Sequence, residues 1–276
     1  MLWLPFRRAW RNPIFQGGLN EFARNTVRWT HGMNYLILLS IVLFITWPKE
    51  EFLSLRDLPF AYNALGGAVL IILAYINCSQ GARKLVGAGY VSLREWVALV
   101  PVAPQVFLRG YMVIGLVESL FFWALSLPLL TAAASVSGES LAHLGAGVLL
   151  ILVCTGSYRM VAMALLLWLE RDEFVLYLLV RVVYICCILV SGFLFPLGNP
   201  VLAFVQVSIW HNPQRLQDIV CFGTSVPTWI VTVGLHLLLG GLFYIIASTR
   251  VHRLRHRLTP SGAPQEDSGR GNPPAV

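Results

Sequence analysis

The sequence predicts an all-α, polytopic membrane protein with six transmembrane helices. Three observations carry that prediction. The 276 residues are 57% hydrophobic and only 12% charged, about half the charge of a soluble protein. Mean hydropathy is +0.70. The apolar residues gather in long runs, and six of these approach or exceed the ~20 residues a helix needs to cross a bilayer. A disordered chain, a coiled coil and a soluble enzyme are excluded by that balance.

Residues 1–32 read as a cytoplasmic arm followed by an interfacial helix. Over Ile14 to Arg28 the apolar Phe15, Leu19 and Phe22 recur at helical spacing, with Asn20, Glu21 and Arg24 elsewhere on the wheel. Pro13 suits the first turn of such a helix. No apolar stretch follows Arg7, Arg8 and Arg11 directly and no cleavage signal stands out, so the first span is expected to be a retained anchor.

Residues 33–248 hold the six spans. They are predicted at Asn34–Trp47, starting up to a turn earlier, then Ala61–Cys78, Tyr111–Val136, Leu141–Leu169, Phe174–Phe195 and Trp229–Ser248. Lysine and arginine set the orientation. Fifteen fall before span one, between spans two and three, between four and five, and after six; only Lys49, Arg56 and Arg215 fall in the opposite loops. Both termini are therefore expected in the cytoplasm. Trp29, Trp47, Trp168 and Trp229 stand at span ends, where indole rings prefer the interface. The basic balance of +7 is better explained by the membrane than by nucleic acid.

Three segments are not spans. Gln80 to Gly110 is the longest cytoplasmic connection. It carries Gly87-Ala88-Gly89, then a short amphipathic stretch from Ser92 that Pro101 ends. That stretch reads either as an apolar ridge for a cytoplasmic partner or as a loop resting on headgroups. Pro196 to Thr228 contains an apolar run, Pro200 to Trp210, too short to cross. It is expected to form an external re-entrant or interfacial helix within about 196–227. Residues 249–276 begin with Arg250, Arg253, Arg255 and Arg257, suited to anionic lipid, and continue as a Pro-, Gly- and Ser-rich tail expected to be disordered.

Catalytic chemistry is thinly represented. The sequence has no P-loop, no H-E-x-x-H, no G-x-S-x-G and no paired-aspartate motif. Cys78, Cys154, Cys186 and Cys187 lie in apolar runs without CxxC spacing, and read as small core residues. Glu170, Asp172 and Glu173 beside Arg171 read as a solvated turn. No catalytic or metal-binding residue is expected. Ionisable groups inside spans are costly and are functional candidates. Glu118, Arg159 and Arg181 are those groups, each about 10–15 Å from the cytoplasmic ends of their spans. Their similar depth predicts a Glu118–Arg181 pair, or a triad with Arg159, serving as a structural lock or as part of a substrate path or gate. His236 is expected to be packed or hydrogen-bonded.

The layout resembles one family, the permease subunits of type-2 ATP-binding cassette (ABC) transporters. Asn12-Pro13-Ile14-Phe15 stands where members begin. Glu95, Leu99, Pro101, Val102, Ala103, Phe107, Leu108 and Gly110 match a cytoplasmic motif between spans two and three. Leu127-Pro128-Leu129-Leu130 and Val136-Ser137-Gly138 resemble a motif late in span three and the turn after it. The family's acidic-basic-acidic cluster is reduced here to Arg94-Glu95, and Tyr111 stands where members carry a basic residue after the glycine.

The resemblance implies that about 85–110 is a coupling segment docking on an ATPase. Arg94, Glu95, Trp96, Leu99, Pro101, Pro104, Phe107 and Gly110 would be its contact or positioning residues. It also implies a bacterial inner-membrane exporter subunit without enzymatic activity of its own. Its partners would be cytoplasmic ABC ATPase subunits, a second permease copy or paralogue, and membrane lipids. ATP and Mg would bind the ATPase, and no cofactor would bind this chain. A structural or assembly subunit that anchors an ATPase to an envelope machine, and a membrane-embedded transferase, stay open as alternatives.

Overall fold

A computed structural model describes residues 12–24, 26–47, 60–86, 89–92, 103–168, 173–209, 219–221 and 224–258. These residues are helical apart from the connections and two small hairpins. In chain order the longer helices are α1 Pro13–Arg24, α2 Thr26–Thr46, α3 Phe60–Ala82, α4 Pro104–Val136 and α5 Leu141–Trp168. Then come α6 Glu173–Ile185, α7 Ser191–Leu194, α8 Pro200–Ile209 and α9 Thr228–Leu258. Five stretches are long and apolar enough to cross a membrane: Arg28–Thr46, Phe60–Ser79, Gln105–Val136, Leu141–Trp168 and Thr228–Arg253. They correspond to five of the six predicted spans.

The remaining predicted span is a shorter apolar stretch, Leu178–Leu194. There α6 runs through a π-helical turn, Cys186–Val190, directly into α7. An extra residue in a turn frees a carbonyl from its usual partner. Asn199, only 2% exposed, answers it: its Nδ2 donates to the Ile188 carbonyl at 2.7 Å and to Ser191 Oγ at 3.0 Å. The same side chain caps α8, since its Oδ1 accepts from the Leu202 amide at 2.9 Å.

Helix boundaries shift where local chemistry outweighs apolarity. α2 begins at Thr26, two turns ahead of Asn34, so Arg28 belongs to the helix. α4 begins at Pro104 rather than Tyr111, because proline fits the first turn of a helix, where its missing N–H costs nothing. Its 33 residues make it about 50 Å long, well beyond a bilayer core. α4 and α5 are separated by a tight turn at Gly138, whose φ of 70° suits glycine. Ser140 then caps α5 by accepting from the His143 amide at 3.2 Å.

The two hairpins, Arg83–Val86 with Gly89–Ser92 and Ile219–Cys221 with Thr224–Val226, lie where the sequence was read as connections. β-Branched and aromatic residues in these strands favour such pairing.

α5 is the axis of the bundle. In its most apolar stretch 67% of the residues are buried, against 22% for α2 and for α9. α3, α4 and α9 pack around it. α8 inserts between α3 and α5: the Phe204 ring, 1% exposed, rests on Gly66 and Gly147 and tilts against Tyr62 at 5.2 Å. Both glycines lie six residues from the ends of their helices at Phe60 and Leu141, so the ring sits about 9 Å inside that end.

α1 lies along the first half of α4. Asn12 meets Val106, Ile14 meets Gly110, Gly18 meets Ile114, and Phe22 meets Phe121 edge-on at 5.3 Å. These pairs rise together in number, so the two helices run alongside in the same direction. The predicted interfacial helix ends at Arg24.

Candidate functional site

On α4, the residues Tyr111, Gly115 and Glu118 follow one another at i, i+4 and i+7, hence on one face. Glu118 is 5% exposed. Its Oε1 accepts from Arg28 Nη2 of α2 at 2.7 Å, and its Oε2 accepts from Arg159 Nη1 of α5 at 3.0 Å. Each carboxylate oxygen thus serves one guanidinium. The Arg159 guanidinium carbon lies 4.8 Å over the Tyr111 ring, and that of Arg28 lies 4.8 Å over the Phe22 ring of α1. Gly115 leaves the space that Arg159 fills, since a Cβ there would fall 2.3 Å from its guanidinium.

Helix counting sets the level of this cluster. Glu118 lies eighteen residues before Val136, Arg159 eighteen after Leu141, and Arg28 eighteen before Thr46. At 1.5 Å per residue each stands about 27 Å from the helix ends on the Val136 side. The three charges therefore share one level along the bundle. Asn77 of α3, 1% exposed and seventeen residues from Phe60, belongs to the same layer. The Ser119 hydroxyl lies 2.9 Å from its Oδ1, and its Nδ2 donates to the Leu73 carbonyl at 2.9 Å.

The cluster differs from the sequence expectation in one member. Glu118 and Arg159 meet, as in the triad alternative, but the Glu118–Arg181 pair common to both expectations is not formed. α6 packs on α3 and α5, and Arg181 donates to Tyr75 Oη of α3 at 3.3 Å. Arg28 takes the place assigned to Arg181. In the sequence Arg28 reads as one more flanking cytoplasmic arginine, and no local signal marks it for burial at 9% exposure. The early start of α2 is what brings it to Glu118.

Several predicted coupling residues, Arg94, Glu95, Trp96, Leu99 and Pro101, lie outside the described residues. Pro104, Phe107 and Gly110 lie at the start of α4, and Gly110 faces Asn12 and Ile14 at the α1 contact. Phe107 is buried and stacks with Tyr111 at 6.2 Å. A Cβ at Gly110 would fall 2.6 Å from Asn12 Oδ1. Asn12 closes this junction. Its Oδ1 accepts from the Ile14 and Phe15 amides at 3.0 and 3.4 Å, and its Nδ2 donates to the Val106 carbonyl at 2.7 Å. Asn12→Ala is expected to weaken α1 docking by about 1–2 kcal/mol. Hydrogen exchange at the Ile14 and Phe15 amides should quicken accordingly; unchanged protection would show that Asn12 does not hold the helix.

A second polar contact ties α5 to α9. His236 Nδ1 lies 2.9 Å from the Thr232 carbonyl, which can only accept, so Nδ1 carries the proton. Nε2 then accepts from the Tyr158 hydroxyl at 3.1 Å. This agrees with a hydrogen-bonded core histidine. Among the described residues, no three His, Cys, Asp or Glu side chains converge as a metal site would require. The arrangement offers polar and ionic cross-links between helices.

No protein-family model matches the chain, and neither does any curated protein or solved structure.

Proposed function

We propose that this chain is the membrane permease subunit of an ATP-driven exporter, with hydrolysis carried out by a separate cytoplasmic ATPase. In this reading it crosses a bacterial inner membrane six times, with α6, the π turn and α7 forming the fifth span and both termini in the cytoplasm. α8 is its external re-entrant segment. The chain pairs with a second permease and two ATPase subunits, and substrate moves outward as the spans rock.

The observation that carries the reading is mechanical. The segment ending at Pro104 feeds straight into α4, whose first turns are latched to α1 by Asn12. Four turns further on, Glu118 of the same helix holds α2 and α5. A push delivered at residues 94–104 is thereby applied to three spans at once through one continuous helix. The resemblance at Glu95, Pro101 and Gly110 supports an ATPase contact at that position.

The test is affinity purification of the full chain in mild detergent, with identification of co-purifying proteins. A P-loop protein in near-equal amount is expected. Replacing residues 94–104 by a Gly-Ser linker of equal length should remove it and abolish substrate-stimulated ATP hydrolysis while membrane insertion persists. The reading is overturned if no ATPase co-purifies, or if coupling survives the replacement.

A further inference from the structure

The buried stripe of α2 comprises Gly32, Tyr35, Leu39 and Leu43. Its opposite face is exposed and carries Thr30, Asn34, Ile37, Ile41 and Phe44. The steps between these are four, three, four and three residues. That is the a/d spacing of a coiled-coil seam, with Asn34 at an a position. Met33, Leu38, Ser40 and Ile45 flank the seam and are exposed as well.

Asn34 makes the face informative. It lies three residues from the centre of the Arg28–Thr46 span, about 4.5 Å from mid-membrane. It is exposed and makes no hydrogen bond to any described residue. A primary amide facing hydrocarbon at that depth loses its water partners and gains none. The exposed face of α9 makes the contrast: Leu237, Leu238, Leu242 and Ile245 offer lipid nothing polar.

We propose that this face of α2 is the seam between two copies of the chain, with the Asn34 amides bonded to each other across a two-fold axis. Two copies inserted in the same direction are related by an axis along the membrane normal. Their α2 helices then run parallel, and equal residue numbers meet at equal depth. An amide both donates and accepts, so it is complementary to itself. A lone asparagine at an a position also sets register and oligomeric state. The proposal names the surface used by the second permease copy proposed above, but it depends only on membrane insertion.

The test uses the full chain in membranes from cells expressing it without any ATPase. Single cysteines at Asn34, Ile37 and Ile41 are expected to form disulfide-linked dimers under mild oxidation. Cysteines at Leu238 and Ile245 of α9 should not, and the parent chain is the blank. Asn34→Leu, on an exposed face, should leave the fold intact and weaken dimerisation by about 3- to 30-fold in single-molecule photobleaching, while Asn34→Gln retains most of it. Cross-links confined to α9, cross-links to a different polypeptide, or an Asn34→Leu chain as dimeric as the parent would each overturn the seam. Loss of the seam with the ATPase still co-purifying counts against this inference alone. A seam without an ATPase counts against the permease reading alone.

Discussion

Glu118→Leu lowers the stability of the full chain by about 3–5 kcal/mol, the expected cost of removing one partner from a buried ionic cluster. At this chain length that is a fall of roughly 10 °C in Tm. Glu118 is the only anion of the three, and its two oxygens are divided between Arg28 and Arg159. Without it two buried guanidinium groups remain with no shared carboxylate. Arg28→Leu should cost less, about 1–2 kcal/mol, because the Glu118–Arg159 pair survives. The double variant Glu118→Leu/Arg159→Leu should recover part of the loss, since an apolar pair at the same place carries no desolvation cost. The natural probe is the rate at which a fluorogenic maleimide reaches Cys78 and Cys154, both buried in the native chain. If Glu118→Leu reacts no faster than the parent on heating, the cluster is not a clamp between helices.

Phe204→Ala is the second large effect, with a loss of about 3 kcal/mol from the cavity left between α3 and α5. The ring fills the space opposite Gly66 and Gly147, where no side chain can coexist with it. A Cβ at Gly66 would fall 2.0 Å from the ring, and one at Gly147 2.8 Å from it. Gly66→Val alone should therefore expel α8 from the bundle. Introduced together with Phe204→Ala, the same valine refills part of the cavity. The double variant should be more stable than the sum of the single losses predicts, by ~1 kcal/mol or more. Strict additivity in thermal unfolding would mean that α8 does not pack through this ring. Expulsion of α8 should also loosen the connection at 195–199, which Thr232 of α9 holds by donating to the Leu197 carbonyl at 2.7 Å.

Much of the architecture is legible in the residues alone. A segment that crosses lipid must satisfy its backbone internally, so length and apolarity locate helices without any tertiary information. Five of the six predicted spans correspond to helices long and apolar enough to cross. The break between α4 and α5, where Gly138 turns, and the start of α8 at Pro200 also agree with the expected segment limits. The start of α2 was missed by about one turn and that of α4 by about two, because Thr26 to His31 and Pro104 to Arg109 are too polar on average to read as span. Those polar turns are helical because other helices support them: α1 lies against α4, and Arg28 reaches Glu118.

Side-chain pairing between spans was the part the pattern could not carry. A helix apolar on every face, as α5 nearly is, gives no periodic clue to its rotation. Counting depth from the predicted span ends put Glu118 level with Arg181, but level charges meet only if their helices are neighbours turned toward each other. Helix rotation and adjacency come from packing: glycine at 115 makes room for Arg159, Asn12 seats α1 on α4, and α6 packs against α3 and α5. Residue order thus located the long apolar helices, whose backbone hydrogen bonds are satisfied internally. The partners of the buried charges were settled by shape at the helix contacts, which no single segment encodes.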